Sequence, residues 1–569
     1  MKINIGLFLI FFFSLGAVIP KAIIPEPIKI ITEQPEPEFQ SWRESYFSGH
    51  PLRIGNRVQF LFDDYLVEDK FGLNRVIGPV EKYSGNPLTI GNGMPWEIIS
   101  DYWGGANLRH IIYDPDEELY KGWYVILRME PGFETGFNYS TLYAESKDGI
   151  TWEKPGFDFF LYDETITDAE NYADRIVMTG GIKTNIVLHK EKGTALLEEI
   201  LLDPLATDPN RRYIALVKKT PPGENTRCIV RMYSPDGRAW TLDSDPVLFR
   251  GASDGSYSLA RDSERERWLL YRRPPTQALI RGFDDFYARR NTKRRVSVSL
   301  SEDLREWTYP RNIVLMDEVD DARLEQPGNR MDIDWAQVIS YEDVFFGFLS
   351  LMDNLTISVP RESHLMWSRD GLDWNRLPER PNFIENGKPG EWDSGSTGGV
   401  SIMADGDRDD RLRIYYSGGN TTQGFYGREG EENYPRFRGT GIAFIDKDRF
   451  IGLQAGPEGG YLLTRQFVLE GDRISINFRS SLKNPPPVLD SGMITAELLQ
   501  SAEDHFEARA YPGFSMHDSD PVVAKGDEAN YILSWNGSSD LSSLNGKPVY
   551  IRFYIQNATL YTFLVNNSL

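Results

Sequence analysis

One short pattern recurs along this chain and constrains its fold more than any other feature. Ser146-Lys147-Asp148-Gly149-Ile150-Thr151-Trp152 returns as Ser234-Pro235-Asp236-Gly237-Arg238-Ala239-Trp240. It returns again as Ser301-Glu302-Asp303-Leu304-Arg305-Glu306-Trp307 and Ser368-Arg369-Asp370-Gly371-Leu372-Asp373-Trp374, with a degenerate fifth copy at Ile445-Asp446-Lys447-Asp448-Arg449-Phe450. Its chemistry suits a hairpin. The Asp caps its own turn, the Gly accepts positive φ, and the Trp packs the returning strand on its sheet. The Asp positions 148, 236, 303, 370 and 446 are 88, 67, 67 and 76 residues apart. That interval suits a four-stranded blade with elaborated loops. Strand-like runs precede the copies, among them Gly122–Leu127, Arg212–Val217, Arg267–Tyr271, Val344–Leu349 and Leu412–Tyr416. The repeat predicts an all-β fold with a five-bladed β-propeller over 51–459.

After Gly460 the texture changes to short alternating runs such as Arg473–Phe478, Met493–Leu498, Val549–Tyr554 and Leu560–Leu564. Period-two alternation between Gly, Pro and Asn turns predicts a β-sandwich over 460–569.

At the N-terminus, Lys2 precedes an apolar run from Ile5 to Ile19. The run is short for a membrane span and suits a signal peptide over 1–22, with the mature chain starting between Ala17 and Ile23. An uncleaved anchor is the alternative. Residues 23–50 are rich in Pro and Glu and read as a linker. The expected location is periplasmic or extracellular, with no integral membrane domain once the signal is removed. A net charge of −22 would repel nucleic acid and anionic membranes. The single cysteine, Cys228, rules out an intrachain disulfide.

Further motifs bear a resemblance. These are Leu61-Phe62-Asp63-Asp64-Tyr65-Leu66-Val67, Met94-Pro95-Trp96-Glu97, Asp208-Pro209-Asn210-Arg211-Arg212-Tyr213, Trp367-Ser368-Arg369-Asp370-Gly371 and Glu391-Trp392-Asp393-Ser394-Gly395. With the five hairpins and the trailing alternating strands, the chain resembles the five-bladed propeller glycoside hydrolases, such as families 32 and 43. It is more similar still to a group of exported bacterial proteins like family 32. The resemblance implies a carbohydrate substrate. The family 32 opening Asn-Asp-Pro-Asn-Gly is missing, and no clear Arg-Asp-Pro or Glu-Cys pair stands in the chain. Catalytic residues therefore carry over only by their place in the blade.

Glycoside hydrolysis needs two facing carboxyl groups, one protonated and one ionised. In a propeller the innermost strand of each blade faces the central channel, so the candidates lie early in each repeat. They are Glu97, Asp254 and Asp393 as catalytic acids, with Asp101, Asp203 and Asp334 as substrate ligands. Asp332 and Glu391 lie beside two of these. The alternative for each is a turn-forming role. Trp96, Trp103, Trp335 and Trp392 stand within a few residues of these acids and offer faces to sugar rings; the alternative is propeller core. Arg272-Arg273 and Arg289–Arg295 form the one basic cluster, suited to an anionic sugar or to a solvated loop. Asp405-Gly406-Asp407-Arg408-Asp409-Asp410 lacks the glycine and distal glutamate of a helical calcium loop. No zinc spacing or phosphate-binding loop occurs, so no metal and no cofactor are expected. The leading expectation is a glycoside hydrolase. Its rivals are a non-catalytic carbohydrate-binding protein and a scaffold for protein partners. Retention against inversion stays open, as does the assignment of acid and base.

Overall fold

The computed structural model describes residues 51–567, apart from 89, 91–92, 98–104, 130–136, 167–171, 190–195, 204, 220–227, 251–256, 275–293, 325–330, 354–358, 423–435, 481–491, 501–508 and 524–526. The described chain is built almost wholly of antiparallel strands. Five sheets have four strands each. Sheet one pairs Leu108–Asp114, Leu119–Met129, Phe137–Ser146 and Ile186–His189; sheet two pairs Leu196–Leu202, Tyr213–Lys219, Cys228–Ser234 and Thr241–Arg250. Sheet three pairs Tyr257–Asp262, Arg267–Arg272, Val296–Ser301 and Arg311–Val314. Sheet four pairs Met331–Tyr341, Val344–Asp353, Glu362–Ser368 and Asn382–Ile384. Sheet five pairs Ser396–Asp405, Arg408–Gly419 and Arg438–Asp446, and its fourth strand is Val80–Lys82, from far upstream.

The first strands of these sheets touch in cyclic order: one with two, two with three, three with four, four with five, and five with one. Apolar cores follow the same cycle. Trp123 and Tyr143 of sheet one pack with Tyr213 and Val230 of sheet two. Ile214 and Ile229 pack with Leu259 and Leu270. Leu269 and Val298 pack with Ile333 and Leu349. Phe346 and Trp367 pack with Ile414 and Ile445, and Tyr415 and Ile442 with Tyr124 and Leu142. Each such side chain contributes about 1.5–3 kcal/mol when fully buried.

In sheets two, three and four the recurrent hairpin joins the third strand to the fourth, and in sheet one it leads from the third strand into a separate small sheet. Asp148, Asp236, Asp303 and Asp370 each accept two backbone N–H bonds within their own turn, at 2.7 to 3.0 Å. The residue after each Asp sits at positive φ: Gly149 at 70°, Gly237 at 76°, Leu304 at 62° and Gly371 at 72°. Trp152 and Trp374 lie against Gly122 and Gly347 of their own sheets, where an added Cβ would come within 2.8 and 3.0 Å of the ring.

The turn has a second task. Its main chain accepts a hydrogen bond from the preceding sheet. Trp123 Nε1 donates to Gly237 O at 2.9 Å, Arg231 Nη1 to Leu304 O, and Tyr271 OH to Gly371 O at 2.9 Å. Tyr415 OH donates to Gly149 O at 2.8 Å, from sheet five to sheet one. In the degenerate copy the acceptor is a side chain, with Tyr341 OH donating to Asp448 Oδ1 at 2.6 Å. A cycle of five bonds therefore links each sheet to the next. A Cβ at Gly237 would lie 2.7 Å from Trp123 and would force a side chain to φ 76°. Gly237→Ala is expected to lower stability by about 1–2 kcal/mol from backbone strain alone. A urea midpoint equal to the parent's would refute that.

Phe157–Tyr162, Ile176–Val177 and Ile182–Thr184 form a small three-stranded sheet, and the other remaining strands form two larger sheets. One holds Gln59–Phe60, Leu73–Ile77, Ile451–Ala455, Arg473–Arg479, Asp527–Ile532 and Ala558–Asn566. The other holds Val67–Phe71, Gly460–Thr464, Phe467–Val468, Met493–Gln500, Arg509–Ala510, Val522–Val523 and Pro548–Gln556. Leu453, Ile476 and Phe563 of the first share one buried cluster with Leu462, Ile494 and Phe553 of the second. Strand pairing thus crosses the limit expected at residue 460. Three strands between Gln59 and Ile77, and one at Ile451–Ala455, belong with the C-terminal strands. Period-two alternation marks local strands and carries no record of distant partners.

Candidate functional site on the first strands

The first strands are not regular. Pairing register slips between Leu108 and His110, between Leu197 and Glu199, between Ile333 and Trp335, and between Gly398 and Ser401. Only sheet three keeps an unbroken register there. A bulge leaves one residue outside the ladder and re-aims its side chain. In sheets one, two and four the residues outside the ladder are Arg109, Glu198 and Asp334, all charged.

Two of these residues, Arg109 and Glu198, meet. Arg109 Nη2 donates to Glu198 Oε2 at 2.9 Å, and its guanidinium lies 4.6 Å from the Trp335 ring centre. Lys218 Nζ approaches Glu198 Oε1 at 2.6 Å, and the Glu198 side chain is fully buried. Next to it, Glu199 accepts backbone N–H bonds from Ile200 at 2.9 Å and Leu259 at 3.2 Å, and a bond from Gln337 Nε2 at 3.3 Å. His110 Nδ1 lies 3.3 Å from Glu199 Oε1. Its Nε2 is buried and has no hydrogen-bond partner among the described residues. A proton on Nδ1, facing the carboxylate, leaves a lone pair on Nε2.

Asp334 is the centre of an arginine cluster. It pairs with Arg361, with Arg294 Nη1 at 3.0 Å and with Arg273 Nη2 at 3.6 Å. Burial pushes its pKa up, but Arg361, Arg294, Arg273 and Arg438 overcome this and hold it below the usual carboxylate range. Asp332 accepts the backbone N–H of Arg294 at 2.9 Å. Two members of the basic segment, Arg273 and Arg294, thus serve Asp334.

Other expected residues stand elsewhere. Glu97 is buried and bonded to Tyr124 OH, to Lys154 Nζ at 2.7 Å and to the N–H of Gly93 at 2.9 Å. Trp96 donates to Asn185 Oδ1 at 2.8 Å and packs in the core between sheets five and one. Asp393 accepts from Lys82 Nζ at 2.6 Å and from Tyr416 OH at 2.8 Å, and Trp392 lies 5.7 Å from the Tyr416 ring. Glu97 and Asp393 are therefore each held by a tyrosine and a lysine. The Asp393 pair fastens the upstream strand Val80–Lys82 to sheet five. Asp203 caps a turn by accepting from Leu205 N at 2.9 Å, at the other end of the strand from Glu198. Asp101, Trp103 and Asp254 lie outside the described residues, as do positions 289–293 of the basic segment. Asp405 accepts from Arg411 Nε at 2.7 Å and from Arg413 Nη2 at 2.8 Å. Among the described residues no group of His, Cys, Asp or Glu could hold a metal ion.

The sequence reading missed Arg109, Glu198, Glu199 and Gln337. One signal was present. In Leu196-Leu197-Glu198-Glu199-Ile200-Leu201-Leu202, two carboxyl groups interrupt a strand that is otherwise apolar, and such groups are costly to bury without partners.

A second polar cluster surrounds His364. Its Nε2 lies 3.1 Å from Glu362 Oε2, and Arg376 Nη2 lies 3.1 Å from its Nδ1. Arg323 Nη1 is 2.9 Å from Nε2. Burial first, then Arg376 and Arg323, hold its pKa below the ordinary 6.5, against the pull of Glu362. The unfolded protein takes up this proton at higher pH than the folded one. The stabilisation is therefore complete above about 6.5 and is lost as pH falls through the lower folded value. Urea midpoints should drop between pH 7.5 and 5.5 in the parent and drop less in His364→Gln. Equal slopes in the two proteins would remove His364 as a cause.

No protein family and no curated protein matches the chain. Among solved structures it is similar to a glycoside hydrolase, with TM-score 0.38 and 15% identity, covering 65% of this chain and 92% of that one. It is also similar to a glycosyl hydrolase from Bacteroides ovatus, with TM-score 0.39 and 11% identity over 69% of this chain and 98% of that one. A third is an N-acetylgalactosamine deacetylase from F. plautii in complex with blood group B trisaccharide, with TM-score 0.30 and 12% identity over 70% and 96% of the two chains.

Proposed function

We propose that the protein is an exported glycoside hydrolase. In this reading the five cyclic sheets are the blades of a propeller, and the two larger sheets form a β-sandwich beside it. The chemistry takes place where the first strands bulge. One observation carries this: three sheets each expel a single charged residue from the ladder, two of them, Arg109 and Glu198, pair with each other, and Arg109 lies over the ring of Trp335, the neighbour in sequence of the third, Asp334.

Asp334, kept ionised by its arginines, is one carboxylate of the pair. Glu198 is the second. Glu199 and His110 form a proton-handling pair next to it. Asp254 remains a third candidate acid, while Glu97 and Asp393 act as buried anchors. Export rests on Lys2 and the apolar run from Ile5 to Ile19.

The non-catalytic carbohydrate-binding reading also has an observation behind it. Both Glu198 and Asp334 already face two or more cations. A screen of neutral and acidic oligosaccharides for released reducing sugar separates the two. Turnover that Glu198→Gln and Asp334→Asn abolish supports the hydrolase. Binding without turnover by the parent supports the binding protein.

A further inference from the structure

The seven-stranded sheet carries a row of aromatic side chains that neither its core nor the first-strand cluster uses. Phe71 pairs with Tyr461, and Tyr461 pairs with Tyr554, across the neighbouring strands Val67–Phe71, Gly460–Thr464 and Pro548–Gln556. Cross-strand partners lie on one face of a sheet. Here it is the outward face. Leu462, Phe553 and Ile555 are buried, Tyr461 and Tyr554 are partly exposed, and Phe71 is 70% exposed. The Phe71 and Tyr461 rings stack at 6.3 Å with 26° between their planes.

Carboxylates fix the hydroxyl ends of this row. Tyr461 OH donates to Asp69 Oδ2 at 2.6 Å, and Tyr554 OH to Glu497 Oε1 at 2.8 Å. Arg552 Nη1 bonds the same Glu497 oxygen at 3.1 Å. The backbone beneath Phe71 is closely fitted. Gly72 sits at φ 68°, and a Cβ there would come within 2.7 Å of Gly459 O. A Cβ at Gly460 would lie 2.5 Å from Phe71 O. The edge strand therefore seats Phe71 firmly beside Tyr461.

A lone exposed Phe is ordinary. Three aligned aromatics with oriented hydroxyls and carboxylates are a more specific surface. Strands lie about 4.8 Å apart, so the row spans about 10 Å, the length of two linked pyranose rings. Aromatic faces stack on the C–H faces of such rings, and carboxylates accept sugar hydroxyls. The charges narrow the ligand further. Asp69, Glu68 and Glu497 are acidic, and Arg552 is bonded to one of them. That balance, on a chain of net charge −22, disfavours acidic sugars, nucleic acid and anionic membranes.

We infer that Phe71, Tyr461 and Tyr554 form a glycan-binding surface for a neutral, extended, β-linked oligosaccharide. It is separate from the first-strand cluster and holds whether or not that cluster is catalytic. The test is retardation of the full-length protein in native gels cast with soluble β-1,4-glucan or β-1,4-mannan, with polygalacturonate as the acidic control. The parent should be retarded by at least one neutral polymer and not by the acidic one. Phe71→Ala and Tyr461→Ala should each weaken binding about tenfold, Phe71→Trp should keep it, and all should melt near the parent temperature. Glu198→Gln should be retarded like the parent, which separates this surface from the hydrolase reading. Unchanged retardation in Phe71→Ala would overturn the inference, as would a parent retarded by no neutral polymer. A Phe71-dependent dimer in sedimentation, without glycan binding, would assign the row to a second copy and overturn it too.

Discussion

Glu198→Gln should lower turnover of any confirmed oligosaccharide by about 10²–10⁴-fold, the usual range for removing a positioned acid or base. The amide keeps the shape of the side chain and removes its charge. It also leaves Arg109 and Lys218 facing a neutral group in a buried site, so some stability should be lost as well. Rates must therefore be compared well below the melting temperature, on protein with parental circular dichroism. Asp334→Asn should behave alike, because its ionised form is what the surrounding arginines select. Glu97→Gln and Asp393→Asn provide the contrast. Each loosens a tyrosine–lysine anchor and should cost stability while turnover stays within a few-fold of the parent. If those two lose activity while Glu198→Gln keeps it, the site lies at the anchors and the first-strand assignment fails.

Arg231→Met should destabilise the protein by about 3–5 kcal/mol, the usual cost of breaking a buried ion pair from one side. The Arg231 side chain is 1% exposed and that of Asp243 is fully buried. Arg231 Nε bonds Asp243 Oδ2 at 2.9 Å, and Nη1 carries the link from sheet two to the turn at Leu304 in sheet three. The substitution leaves the buried Asp243 carboxylate to Arg211 at 3.8 Å and the Ser244 N–H at 2.8 Å, and cuts one bond of the inter-sheet cycle. Burial pushes the Asp243 pKa up, but Arg231 outweighs it, and the result lies below the ordinary 3.8. The pair's contribution is therefore present above about pH 3.8 and fades as pH falls through the lower folded value. The gap between parent and variant should narrow in acid. Arg231→Met with Asp243→Leu should recover part of the loss, because no buried carboxylate then lacks its closest cation. A loss under 1 kcal/mol in urea unfolding at pH 7 would show that Arg231 is not a link the fold depends on.

The hairpins were legible because their chemistry is local. Asp148, Asp236, Asp303 and Asp370 cap turns within three residues of themselves, and the positive-φ site follows each of them. The fifth copy is degenerate for a structural reason. Ile451–Ala455 follows it into a larger sheet, while Val80–Lys82 completes sheet five. Strand pairing across hundreds of residues leaves no local mark, so the company kept by Gln59–Ile77 stayed hidden. The same limit applies to the site. Asp334 and Trp335 were visible as an acid beside an aromatic. The sequence ranks Glu97 and Asp393 as catalytic acids ahead of Asp334, a substrate ligand, because nothing near them in sequence names Lys154, Lys82 or the arginines around Asp334. Arg109 and Glu198 owe their positions to bulges, and a bulge is a property of two strands together.

The upstream strand in sheet five also bears on biosynthesis. Asn86 Nδ2 and Oδ1 bond the main chain of Ile442 at 2.8 Å each, across 356 residues of sequence. At ribosomal speeds of about 5–20 residues per second, the strand emerges roughly 20–70 seconds before its partner. Until then its edge is open to mispairing, as are the edges of Gln59–Phe60, Val67–Phe71 and Leu73–Ile77. The last of the chain to emerge completes the first. A chain truncated before Ile451 would leave Leu73–Ile77 without the neighbour it pairs with, so the segment from Ile451 onward cannot be trimmed away as an independent appendage. Crossing a membrane unfolded and folding only after the whole chain has arrived would remove the wait.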